Sequence, residues 1–139
     1  MPAPTRIAID TGALLALAST RDRYHDTARR TLGRLRRSGV RFVGHTLVLG
    51  ELHGHLLRRL PPAEARRLVA ALMRDPMFEW MDVSVELIGR AVSKWIERFA
   101  DQRFSLTDAV SFEVMREERL ATAFSFDQDF VTAGFALEQ

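Results

Sequence analysis

Short apolar runs alternate with longer helical patterns along the whole chain, and this rhythm restricts the fold more than any single motif. Ile7-Ala8-Ile9 leads into a helical stretch ending at Ala18, with Asp10 placed to cap it. Val40 to Val43 leads into a helix from Thr46 to Leu60, and Phe78 to Val83 into one from Ser84 to about Phe99. Leu120 to Phe124 precedes a short helix from Asp127 to Ala133, and Phe135 to Leu137 is a last candidate strand. Three further helices fit between these runs. One is basic, from about His25 to Ser38, and stops at Gly39; one starts at Pro62 and ends near Arg74; one opens at Ser105, where SLTD has the form of a capping box. Such alternation predicts an α/β fold, a mostly parallel sheet with helices on both faces and right-handed crossovers.

The chain of 139 residues is read as one domain spanning 1–139, and 47% hydrophobic residues suffice for a core. With no cysteine, a disulfide, a thiolate metal site and a cysteine nucleophile are all excluded. No apolar stretch is long enough to span a membrane, and MPAPTR does not read as an export signal, so the expected location is the cytoplasm. Charge is unevenly spread. Residues 1–75 carry fourteen arginines and six acids, whereas residues 76–139 carry six bases and twelve acids. A basic face and an acidic site can therefore coexist on one body.

In an open α/β sheet, ligands bind beyond the carboxyl ends of the strands where the chain order reverses. Asp10 follows the first strand, and Asp127 lies just beyond the fourth; taken singly, each also reads as an ordinary helix cap. Glu51 projects from a helix beside Leu47 and Val48. Asp108 shares an apolar stripe with Phe112 and Met115, while Glu113, Arg116 and Glu117 are expected to face solvent. Carboxylates leaving buried faces without partners take up protons or require a cation. Gathered together, Asp10, Glu51, Asp108 and Asp127, with Asp129 as a further member, suit Mg²⁺ or Mn²⁺ and metal-assisted phosphodiester hydrolysis. Thr11, Thr107 and Ser125 accompany these acids and can either orient them or cap helices.

Arg30, Arg34 and Arg37 form a helical stripe that Arg41 extends, and Arg58, Arg59, Arg66 and Arg67 cluster near Pro61-Pro62. Each set fits an RNA backbone track or a solvated helix face. His55 stands at i+4 from Glu51, but the histidines lack a zinc pattern and read as surface or packing residues. The tryptophans and phenylalanines are scattered as core residues are, and Met73, Met77, Met81 and Met115 read as core or interface filler. No glycine-rich phosphate cradle or nucleophile elbow is present. Dehalogenase-type phosphatases want a second acid where Gly12 stands, and receiver domains want paired acids and a strand-end lysine.

In order and spacing, IAIDTGALLAL, TLVLGEL, SLTDAVSFEVM and ATAFSFDQDFVTAGF resemble the segments of PIN-domain ribonucleases, in particular the compact VapC-type toxins of bacterial toxin–antitoxin pairs. The resemblance implies a three-layer α/β/α sandwich with strand order 3-2-1-4-5, which would bring Asp10 and Asp127 together. It implies Asp10, Glu51, Asp108 and Asp127 as the catalytic and metal-holding acids, with Asp129 at a position that is acidic in only part of the family. It also implies Mg²⁺- or Mn²⁺-dependent endonucleolytic cleavage of RNA, homodimerisation and inhibition by a VapB-like antitoxin. The rival reading is a PIN-like module that binds RNA or protein without cutting.

Overall fold

The computed structural model describes residues 3–139. Strand β1 (Arg6–Ile9) organises it, because its side chains alternate between two cores. Ile7 and Ile9 point into one, with Phe42, Phe78 and Phe124, and Ala8 points into the other, with Val43 and Ala123. Around β1 lie β2 (Arg41–His45), β3 (Phe78–Met81), β4 (Thr122–Phe124) and β5 (Ala136–Glu138), all parallel, in the order β3-β2-β1-β4-β5. Helices α1 (Thr11–Ala18), α2 (His25–Arg37), α3 (Thr46–Leu56) and α4 (Pro62–Arg74) bury the first face. Helices α5 (Val85–Ala91), α6 (Leu106–Glu117) and α7 (Asp129–Thr132), with a π-helical turn at Val92–Glu97, bury the second. The expected three-layer α/β/α sandwich and its strand order are both present.

Chain order reverses between β1 and β4, the two strands that carry Asp10 and Asp127 beyond their carboxyl ends. Asp10 closes β1 with its backbone N–H directed to the Phe124 carbonyl at 3.4 Å, so the first acid is held at the neighbouring strand. In β2, Gly44 has a specific reason: the Trp80 ring of β3 lies where a Cβ would stand, and Trp80 is fixed there by donating from Nε1 to the Leu72 carbonyl at 3.0 Å.

Local expectations hold with several differences. Thr46 begins α3 as expected, and its Oγ1 accepts from the Val83 N–H at 3.2 Å, tying α3 to the loop after β3. Helix α3 ends at Leu56 and loosens into a turn before Leu60, because Pro61 closes the segment and the following helix starts afresh. The helix capped by Ser84 passes into its π turn at Val92, where Trp95 stacks against Phe99 and meets Phe112 edge-on. Met73 is exposed and packs into neither core.

Glu113 requires a correction. Its helical position predicts a solvated face, yet its accessible surface is 0%. Trp95 Nε1 donates to it at 3.1 Å, Arg116 donates from Nε and Nη2 at 2.9 and 2.7 Å, and Arg90 and Lys94 lie at 3.7 and 3.6 Å. Helical spacing along α6 locates the residue but cannot show that α5 and the π turn cover it with cations.

Candidate active site

Asp10, Glu51, Asp108 and Asp127 line one cleft of about 530 Å³ at the carboxyl ends of the strands. Four segments deliver them. Asp10 comes from the β1–α1 junction, Glu51 from α3, Asp108 from the first turn of α6 and Asp127 from the loop after β4.

Asp10 is 6% exposed and serves two structural purposes at once. Its Oδ1 accepts the Ala13 N–H at 2.8 Å, capping α1, while its Oδ2 accepts from Ser125 Oγ at 2.5 Å. Ser125 in turn accepts the Asp127 N–H at 3.0 Å, so one buried hydroxyl links the first and fourth acids. Asp127 Oδ1 caps the following turn by accepting the Asp129 N–H at 2.9 Å. The capping and convergence readings are thus both satisfied by the same side chains.

Burial pushes Asp10 up to about 6, against the lowering effect of Ser125 and Ala13, with Asp127 and Glu51 adding to the rise. Asp108 is pushed up to about 7, first by burial and then by Asp127 and Asp10. Burial and Asp127 also raise Asp129. Carboxylates in this state share protons unless a cation joins them.

The residues fit a divalent cation by their donor chemistry. Asp108, Asp127 and Asp129 each offer an oxygen, and the three oxygens lie within 4.8 Å of one another. Asp129, the acid with the weakest case in the sequence, belongs to this tight set, whereas Asp10 and Glu51 border it in the cleft. Thr11 supplies a second observation: this residue lines the cleft, and its buried Oγ1 has no hydrogen-bond partner among the described residues.

The remaining predicted residues divide. Thr107 is half-buried in α6 and does not line the cleft. His55 does line it. His45 is a packing residue, its Nε2 at 2.8 Å from Ser111 Oγ, and burial lowers it to about 4, so it is neutral at ordinary pH. Arg30, Arg34 and Arg37 line a separate depression on α2, and Arg34 pairs with Glu138 at 2.7 Å.

Arg23, Tyr24 and Phe126 are among the lining residues that the sequence does not mark as site residues. Tyr24 and Phe126 stack in parallel, with centroids 4.3 Å apart and planes at 3°. Phe126 packs against the first core, as expected of the phenylalanines, and also stands in the cleft wall. Its position between Ser125 and Asp127 is the available signal.

Comparison with known proteins agrees with this architecture. The PIN domain family matches residues 7–136. VapC20 of Mycobacterium tuberculosis, a 23S rRNA-specific endonuclease, is 34% identical over 129 residues, covering 93% of this chain and 95% of VapC20. The crystal structure of VapC20, described as a sarcin–ricin loop cleaving toxin, superimposes with a TM-score of 0.83 at 31% identity, covering 94% of this chain and 96% of that one. VapBC2 from Rickettsia felis, bound to a promoter DNA fragment, shares the fold with a TM-score of 0.71 at 14% identity over 96% of this chain and 98% of that one. With the match running from β1 into β5 and the acids gathered at the chain reversal, this chain belongs to the PIN domain family.

Proposed function

We propose that the protein is a divalent-metal-dependent endoribonuclease that hydrolyses RNA phosphodiester bonds and acts as the toxin of a VapBC-type pair. The observation that carries this reading is the meeting of Asp10, Glu51, Asp108 and Asp127 in one cleft, in a chain 34% identical to a 23S rRNA-specific endonuclease. Asp108 and Asp127 are the primary cation ligands, with Asp129 beside them and Asp10 and Glu51 completing the negative cleft. The cation is Mg²⁺ or Mn²⁺, whose preference for oxygen ligands matches a set without cysteine or histidine. Bound there, it supplies Lewis-acid polarisation of the phosphodiester and a lowered pKa for the attacking water.

The side chains have distinct tasks. Ser125 keeps Asp10 oriented through its 2.5 Å hydrogen bond, and the α1 cap prevents Asp10 from swinging out of the cleft. Raised affinity for protons in Asp10 and Asp108 makes cation loading a displacement of protons, so loading strengthens as pH rises through about 6 to about 7. Because Asp10 and Asp108 both hold protons more tightly than free carboxyls and line the same cleft, proton acceptance is assigned to the cluster and not to one carboxylate.

The same reading includes a VapB-like antitoxin that silences the enzyme, a homodimer and action in the cytoplasm. No helix among the described residues is long and apolar enough to cross a membrane. The first RNA to test is the sarcin–ricin loop of 23S rRNA, the target of VapC20. Purified protein should cut it in Mn²⁺ or Mg²⁺, stop in EDTA, and lose activity on Asp10→Asn. A cation-dependent rise in melting temperature with no cleavage of this loop or of total RNA would instead support a binding module.

A further inference from the structure

A second groove, of about 830 Å³, opens beside the acidic cleft between the loop after α1 and the turn after α3. Arg21, Arg23, Arg58 and Arg59 line it, and it shares Asp22 and Arg23 with the cleft, so the two depressions are continuous. Of the four arginines, only Arg59 has an acidic partner among the described residues, Asp22 at 3.6 Å. Arg21, Arg23 and Arg58 are exposed.

Arg23 stands at the junction. Its Cζ lies 4.5 Å from the Tyr24 ring centroid, and Phe126 stacks on the same ring. The contacts of Phe126, Tyr24 and Arg23 therefore lead from the residue next to Asp127 out to an exposed guanidinium. A guanidinium held over a ring offers a planar surface on which an unpaired nucleobase can stack, while its charge attracts the adjoining phosphate. The depression on α2 lacks this continuity: it shares no lining residue with the cleft, and Arg34 is already paired.

Resting on the nuclease reading, we infer that a single-stranded RNA segment flanking the cleaved bond runs through the groove of Arg21, Arg23, Arg58 and Arg59, with Arg23 stacking on the nucleotide nearest the cleft. Arg21 and Arg58 contact phosphates. Arg23 is a positioning residue, because it acts on the nucleotide beside the reacting bond.

The test measures binding of a short fluorescent single-stranded RNA by anisotropy across a salt series, in an Asp108→Asn background so that the probe survives. The Arg21→Ala/Arg58→Ala pair should flatten the slope of log affinity against log salt by about 1.4, since each phosphate that a single strand no longer has neutralised accounts for about 0.7. An Arg30→Ala/Arg37→Ala pair should change it less. Arg23→Lys should preserve the slope yet weaken binding about tenfold by removing the stacking surface, and Arg23→Ala should reduce both. Thermal melts verify that these surface variants remain folded.

An unchanged slope for the groove pair, a larger reduction for the α2 pair, or Arg23→Lys binding as tightly as the parent would overturn the assignment. Cleavage by the otherwise wild-type protein, measured alongside in Mn²⁺, separates the two proposals. Binding mapped to the groove without cleavage removes the nuclease reading and leaves the groove standing. Cleavage with groove substitutions that do not alter binding removes the groove alone.

Discussion

Asp108 and Glu113 lie on one helix, roughly 140° apart around its axis, and meet opposite surroundings. Burial, Asp127 and Asp10 push Asp108 up to about 7. Burial also opposes ionisation of Glu113, but Arg116, Trp95 and Lys94 outweigh it and bring it down to about 2. Glu113 is fully buried, and Asp108 is half-buried in the cleft wall. The difference between a structural acid and a candidate catalytic one lies in the neighbours: Glu113 has its counter-charge built in, whereas Asp108 is surrounded by further acids and either holds a proton or, on the function proposed above, a cation.

The largest expected effect breaks this comparison at the cleft. Asp108→Asn should abolish RNA cleavage while the metal-free protein melts no lower, and at pH 7.5 slightly higher, than the parent. Retained cleavage, or a collapse of the fold, would place Asp108 with Glu113 as a structural group. The converse change, Glu113→Gln, should lower unfolding free energy by about 1–2 kcal/mol, because the Trp95 and Arg116 hydrogen bonds lose their charged acceptor while the half-exposed cations can turn to solvent. Chemical denaturation measures it, and cleavage per folded molecule should stay near the parent value.

Stability against pH sharpens the contrast, since the two kinds of acid contribute opposite slopes. Asp10 and Asp108 bind protons more tightly in the folded state, so the stability their protonation provides is present below pH 3.8 and is lost as pH rises through about 6 and about 7. The loss should be on the order of a few kcal/mol in metal-free protein. Glu113 acts in reverse: its contribution is present above pH 4.5 and disappears as pH falls toward about 2. Mn²⁺ at a hundredfold excess over its Kd should add about 2.7 kcal/mol at pH 7.5, and less at pH 5.5, where protons compete. A metal effect independent of pH would argue against the protonated cluster.

The smallest predicted change concerns the buried hydroxyl. Ser125→Ala frees Asp10 Oδ2 and the Asp127 N–H together, and should reduce cation affinity or activity by about 10- to 100-fold. Ser125→Thr, which keeps the hydroxyl, should recover part of that reduction. A metal titration followed by melting temperature distinguishes the outcomes.

Much of the site is legible along the chain because its acids occupy positions with a local signature. Asp10 and Asp127 follow short apolar runs that read as strands, and Asp108 stands in a capping motif. Residues whose importance depends on what another element lays against them are not legible. Glu113 has the spacing of a solvated position until α5 and the π turn cover it, and Phe126, which does pack against the core, shows its second place in the cleft wall only when the loop after α1 brings Tyr24 alongside. Asp129 joins the oxygen set of Asp108 and Asp127 in a turn after β4 that Asp127 Oδ1 caps by accepting the Asp129 N–H.

Periodicity and turn chemistry are properties of neighbouring residues, so the sequence alone determined the alternation of strand and helix and the caps Asp10, Ser84 and Ser105, and it singled out the four acids that the fold gathers in one cleft. Tertiary structure decided which acids acquire a counter-charge and which share protons, since that depends on contacts between segments far apart in the chain. Electrostatic energy in a buried site is set by the groups within a few ångströms, and only the packed fold specifies those groups.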